Sequence, residues 1–124
     1  MINKEYLYAV VGASQDENKY GFKVLKDLLD AKYDVIPINP QAQEILGLKV
    51  YPNLKSVAQK IDVVIFVVPP KITLEILKEV VNLKIKKIWM QPGSESKEAI
   101  EYCKNHKIDY VAGACIMIQK NNQD

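Results

Sequence analysis

The residues with the most chemical promise in this 124-residue sequence lie just after its apolar runs. They are Gly12-Ala13-Ser14, Asn39-Pro40, Val68-Pro69-Pro70, Met90-Gln91-Pro92-Gly93 and Gly113-Ala114-Cys115. Glycine, proline and small polar types dominate them, and strong acids and bases are missing. Such a set holds a ligand through backbone groups and hydroxyls. It supplies no general base, no partnered nucleophile and no metal. Two cysteines, Cys103 and Cys115, and one histidine, His106, cannot assemble a zinc site of either common composition. Both thiols are expected to serve packing, as small hydrophobes.

The first turn is the most informative. VVGASQDENKYGF (10–22) runs an apolar strand into a glycine, as dinucleotide-binding sequences do, yet G-x-G-x-x-G never appears: the glycine after Gly12 is Gly21. Gly12 permits a sharp turn and close approach of a ligand. Ser14 offers a hydroxyl, and the following helix presents its N–H groups to an anion. The same residues also suit a plain strand-to-helix turn, so both readings stay open here. Gly21 is expected to begin the helix rather than pack it against the strand.

At the second turn, Asn39 and Pro40 stand where a nicotinamide or flavin dinucleotide site places Asp or Glu for the ribose hydroxyls. That neutral end tilts the reading toward a ligand with phosphate on its ribose. Pro69 and Pro70 fix the backbone where a ligand would cross, or simply stop a strand. Gln91 faces the rim and is placed to read a polar ligand group.

These turns must be held by the elements between them. YLYAVVG (6–12), YDVIPINP (33–40), DVVIFVVPP (62–70), KKIWMQPG (86–93) and DYVAG (109–113) read as strands. Helical spacing covers 20–31, 73–83 and 96–106, with a short helix over 54–61. A helical turn, Gly47 and an extended piece at 49–51 fill the looser segment after the second strand. Lys32 occupies the post-helix position where glycine is usual, Ser94 or Ser96 caps the last helix, and the polar residues 119–124 form a frayed tail. Strand–helix alternation with continuous β-branched runs predicts one α/β domain. Its core is a doubly wound parallel sheet of about five strands covered on both faces.

The composition is that of a globular protein: 48% hydrophobic, 26% charged, net charge +2. It carries no nucleic-acid footprint, no apolar run near the ~20 residues of a membrane span, and no signal-peptide pattern at its start. Cytoplasmic location and a monomer or weak homodimer are the expectations. All 17 basic residues are lysine. Any phosphate is therefore met by backbone N–H groups, hydroxyls and lysine point charges, without guanidinium forks.

Taken together, VVGAS…YGFKVLKDLLDAKYDVIPINP, EILGLKVYPNLKSV, IDVVIFVVPP and KIWMQPGSES resemble the small stand-alone CoA-binding proteins. Those are relatives of the N-terminal CoA-binding domain of the succinyl-CoA synthetase α subunit, and the resemblance covers residues ~5–118. It implies a Rossmann-like, three-layer α/β/α domain that binds coenzyme A or an acyl-CoA without catalysis of its own. By that match Gly12, Ala13 and Ser14, with Tyr20 and Gly21, surround the pyrophosphate. Asn39 and Pro40 border the adenosine, Val68, Pro69 and Pro70 line the groove, and Met90, Gln91, Pro92 and Gly93 lie toward the pantetheine arm. Lys19, Lys23 and Lys71 are candidates for the phosphate charge. His106 does not match the phosphorylated histidine of that subunit's second domain, so ligase activity is not implied. The alternatives are an NAD(P)-binding oxidoreductase or redox sensor, resting on fold analogy, and an interaction module with an empty pocket.

Overall fold

The computed structural model describes residues 2–121. In chain order they form β1 (Leu7–Val11), α1 (Tyr20–Asp30), β2 (Asp34–Ile38), β3 (Glu44–Ile45), β4 (Leu48–Lys49), β5 (Val63–Phe66), α2 (Pro70–Asn82), β6 (Lys87–Met90), α3 (Lys97–Asn105), β7 (Asp109–Ala112) and α4 (Ile116–Asn121). Five strands pair in parallel in the order β2-β1-β5-β6-β7, while β3 and β4 make a separate two-stranded hairpin. This is the expected Rossmann-like α/β sheet.

Handedness explains the layering. The chain steps outward in one direction from β1 to β2, and in the other from β5 through β6 to β7. Right-handed crossovers then put α1 on one face and α2 and α3 on the opposite face. The two cores follow the two-residue period of the strands. Ala9 and Val11 join Val64, Phe66, Ile88 and Met90 beneath α2 and α3. Tyr8 and Val10 join Val63, Ile65 and Trp89 beneath α1 and α4. The long return from β2 to β5 also moves in the second direction, and its Leu54 and Ile61 duly pack in the α2–α3 core.

Four local expectations are corrected. Residues 54–61 form only a 3-10 turn at Leu54–Ser56, with Asn53 accepting from the Ser56 N–H at 3.0 Å. The segment before Gly47 is strand β3, because Leu46 (φ 52°) and Gly47 (φ 79°) make a two-residue hairpin turn. Helix α2 begins at Pro70, three residues early, since proline at a first helical position forgoes an N–H that has no partner anyway. Part of the expected tail is helix α4, whose Ile116 is fully buried; residues 122–124 lie outside the described residues. Ser96, not Ser94, caps α3, accepting from the Ala99 N–H at 3.0 Å. Lys32 does take the left-handed conformation, at φ 70°.

Candidate functional site

In this strand order the topological reversal lies between β1 and β5, and ligands of open α/β sheets bind outside the carboxyl ends of such strands. The first residues beyond those ends are Gly12 and Val67. Gly12 has φ 95°, and a side chain on it would overlap the Val67 carbonyl and the Val68 side chain. The two turns therefore touch, and their contact forms a ridge.

Gly21 lies behind that ridge. A β-carbon there would overlap the carbonyl oxygen of Gly12. So Gly21 does pack α1 against the end of β1, and the expectation that it merely begins the helix is corrected. A glycine nine positions on supplies the close helix–strand approach that the third glycine of G-x-G-x-x-G gives in shorter turns.

Two cavities flank the ridge and share Gly12 and Val68. The larger, about 700 Å³, is bounded by the start of α1 (Lys19, Tyr20, Gly21), by Val67 to Pro70, by Gln91 to Ser94, and by Cys115, Met117 and Ile118. The smaller, about 310 Å³, runs between Asn39–Pro40 and Pro52–Leu54 on one side and Ile72, Ile76 and Glu79 of α2 on the other.

The helix starts around the cleft differ in what they offer. Helix α1 has Lys19 at its N-cap position with no side-chain cap, while the N–H groups of Phe22 and Lys23 already donate to the Lys19 carbonyl. Tyr20 and Gly21 thus carry the first-turn N–H groups left without a helical partner, and Lys19 lines the same cavity. Helix α2 opens on Pro69-Pro70 and so lacks two donors. Helix α3 is closed by Ser96.

Several predicted residues are already engaged. The Asn39 side chain donates to the Ala13 carbonyl at 2.8 Å and accepts from the Gln41 N–H at 2.8 Å, tying the first two turns together. Ala13 itself is fully buried. The Ser14 hydroxyl accepts from the Asp16 N–H at 3.0 Å, inside the loop. Gln91, 3% exposed, accepts from the Ile116 N–H at 2.8 Å and donates to Cys115 Sγ at 3.3 Å. It clamps the start of α4 onto the rim. Ser94 Oγ accepts from the Val68 N–H at 3.0 Å, and Glu95 accepts from the N–H groups of Gly93 and Gly113 at 2.8 and 3.2 Å. The rim is stiffened by its own polar groups.

Of the predicted residues, Gly12, Lys19, Tyr20, Gly21, Val68, Pro69, Pro70, Gln91, Pro92 and Gly93 line the larger cavity. Asn39 and Pro40 line the smaller one. Ala13, Ser14 and Met90 line neither; Met90 lies in the α2–α3 core. Lys23, exposed and over the Tyr20 ring, and Lys71, exposed in the first turn of α2, line neither cavity. Sequence reasoning missed Val67, Ser94, Met117 and Ile118 of the larger cavity, the last two because six residues of helix are too short to show periodicity, and Pro52 and Ile72 among others of the smaller one. Cys103 is fully buried on the inner face of α3, and burial pushes its thiol up to about 11, so it is chemically quiet. Among the described residues no cluster of metal-binding side chains occurs, and no helix is long and apolar enough to cross a membrane.

A family model described as a CoA binding domain matches residues 7–121. The chain is 38% identical over 71 residues to an ADP-forming acetate–CoA ligase from Methanocaldococcus jannaschii, covering 57% of this chain and 10% of that one. It is 27% identical to the α subunit of ADP-forming acetate–CoA ligase II from Pyrococcus furiosus, covering 92% of this chain and 27% of the subunit. The chain thus spans between about a tenth and about a quarter of these ligases. Among solved structures, a conserved hypothetical protein from Pyrococcus furiosus superposes with TM-score 0.89 at 43% identity, over 92% of this chain and 98% of that one.

Proposed function

The chain belongs to the CoA-binding-domain family, and from that premise we propose that it holds coenzyme A across the Gly12–Val68 ridge. The observation that carries this reading is the pair of cavities meeting at the Gly12–Val68 ridge, the larger of them bordered by an uncapped helix start. CoA has three parts of different chemistry, and the cleft offers three matching environments. A flat heterocycle suits the smaller cavity, between Pro40 and Pro52 on one wall and Ile72 on the other. The pyrophosphate suits the Tyr20 and Gly21 N–H groups with Lys19 beside them. The pantetheine arm suits the larger cavity past Pro69, Pro70, Pro92 and Gly93.

Asn39 weighs against a nicotinamide dinucleotide. It replaces the acid that reads the ribose hydroxyls, and its amide is already bonded to Ala13 and Gln41. No catalytic group is assigned to the cleft, and binding is the whole of the function proposed. Calorimetry with CoA, dephospho-CoA, NADH and NADPH is the test. Heat with CoA and weaker binding of the others is expected. Absence of heat and of any thermal shift with CoA overturns the reading.

A further inference from the structure

The larger cavity is predominantly apolar. Its lining includes Val67, Pro92, Met117 and Ile118. Lys19 is the sole ionised side chain on its lining among the described residues, and it sits at the α1 end, with the phosphates. The polar side chains on its floor are turned inward to the protein. Gln91 is held by Ile116 and Cys115, and Ser94 by Val68. Lys23 lies over the Tyr20 ring but outside the lining of this cavity.

The lips add a second observation. Tyr20 and Ile118 are 64% and 61% exposed, the most exposed of the protein's large apolar side chains among the described residues, and both border this one cavity. Burying them under an apolar ligand group would remove that surface from water. A cavity of about 700 Å³ lies well inside the range that encloses a drug-sized ligand.

We infer that the larger cavity accepts an apolar acyl group carried on the pantetheine thiol, so that the preferred ligand is a thioester with a hydrocarbon acyl chain. This rests on the reading that CoA lies across the Gly12–Val68 ridge. A dicarboxylic acyl group is disfavoured, because its free carboxylate would lose water among Met117, Ile118 and Pro92 without gaining a partner.

Calorimetry on the full chain with CoA, acetyl-CoA, butyryl-CoA, hexanoyl-CoA and succinyl-CoA tests it. Each methylene that enters the cavity should tighten binding roughly fourfold. Butyryl-CoA should bind more tightly than acetyl-CoA, and succinyl-CoA should bind more weakly than butyryl-CoA. Ile118→Asp, at a solvent-exposed position, should lower butyryl-CoA affinity more than CoA affinity. CoA and every acyl-CoA binding alike, or succinyl-CoA binding most tightly, overturns the inference and leaves CoA binding standing. Failure of all five ligands, CoA included, removes the parent reading and this one with it.

Discussion

At the scale of the residue, the two glycines of the first turn carry the architecture of the cleft. Gly12 is held at φ 95° against Val67, and Gly21 is held against Gly12. Neither site has space for a methyl group that flexible neighbours could yield, because backbone atoms lie closest. Gly21→Ala should therefore destabilise the fold by about 1–3 kcal/mol, read as a lower denaturant midpoint at unchanged slope. An unchanged midpoint would mean that α1 does not approach β1 this closely. Cys103 makes a separate prediction. Its folded thiol titrates at about 11 against an unperturbed 9.0, so between those values the unfolded chain loses a proton the native chain keeps. Stability should fall across that window, by up to ~2 kcal/mol from this group. Cys103→Ala should flatten the slope between pH 9 and 11 while costing about 1 kcal/mol at neutral pH. A slope identical to the parent's would remove the burial argument.

At the scale of the element, three helices end in the same unusual way. Lys32, Lys84 and Lys107 follow α1, α2 and α3 with φ of 70°, 60° and 56°. The left-handed conformation costs an L-residue roughly 1–2 kcal/mol, and glycine avoids it at some loss of unfolded-state entropy. Each Lys→Gly change should stabilise by about 0.5 kcal/mol, and the three, each relieving its own backbone turn, should add. Thermal unfolding of the triple variant should rise by a few degrees; a fall would show that the lysine side chains contribute more than the backbone strain costs. Only Lys32 was legible beforehand, because its helix ended cleanly against a strand. The strands and the three long helices were legible for a related reason: each buries a continuous run or stripe, and burial writes a period into the residues. The segments that failed bury too little to do so. Leu54 alone anchors the 3-10 turn that resembled a helix over 54–61, and the start of α4 is fixed by two hydrogen bonds to residues distant in sequence: the Ile116 N–H donates to Gln91, and the Trp89 indole N–H donates to the Ala114 carbonyl just before the helix.

At the scale of the whole molecule, the cleft exists because the winding reverses between β1 and β5, and its walls come from both layers. The strand ends revealed which turns share this edge. They could not reveal which side chains already have partners, and so Asn39, Ser14 and Gln91 looked free when each is engaged. Helix α4 completes one wall, and its Lys120, 8% exposed, reaches Asp27 of α1 at 2.9 Å. One ligand in the cleft would therefore bridge segments that are far apart in sequence: 19–21, 67–70, 91–94 and 115–118. Amide hydrogen exchange with and without CoA should show added protection in all four together. The opposite edge of the sheet, at Leu7, Asp34, Val63 and Lys87, should change only through global stability. At ligand concentrations a hundredfold above the dissociation constant that global gain is about 2.7 kcal/mol, enough to slow the best-protected core amides about a hundredfold. The two contributions separate, because the global term acts on amides that exchange only by complete unfolding. The local term acts on the rim, where exchange proceeds by small openings. Protection spread evenly over the fold, with no excess at these four segments, would place the ligand elsewhere.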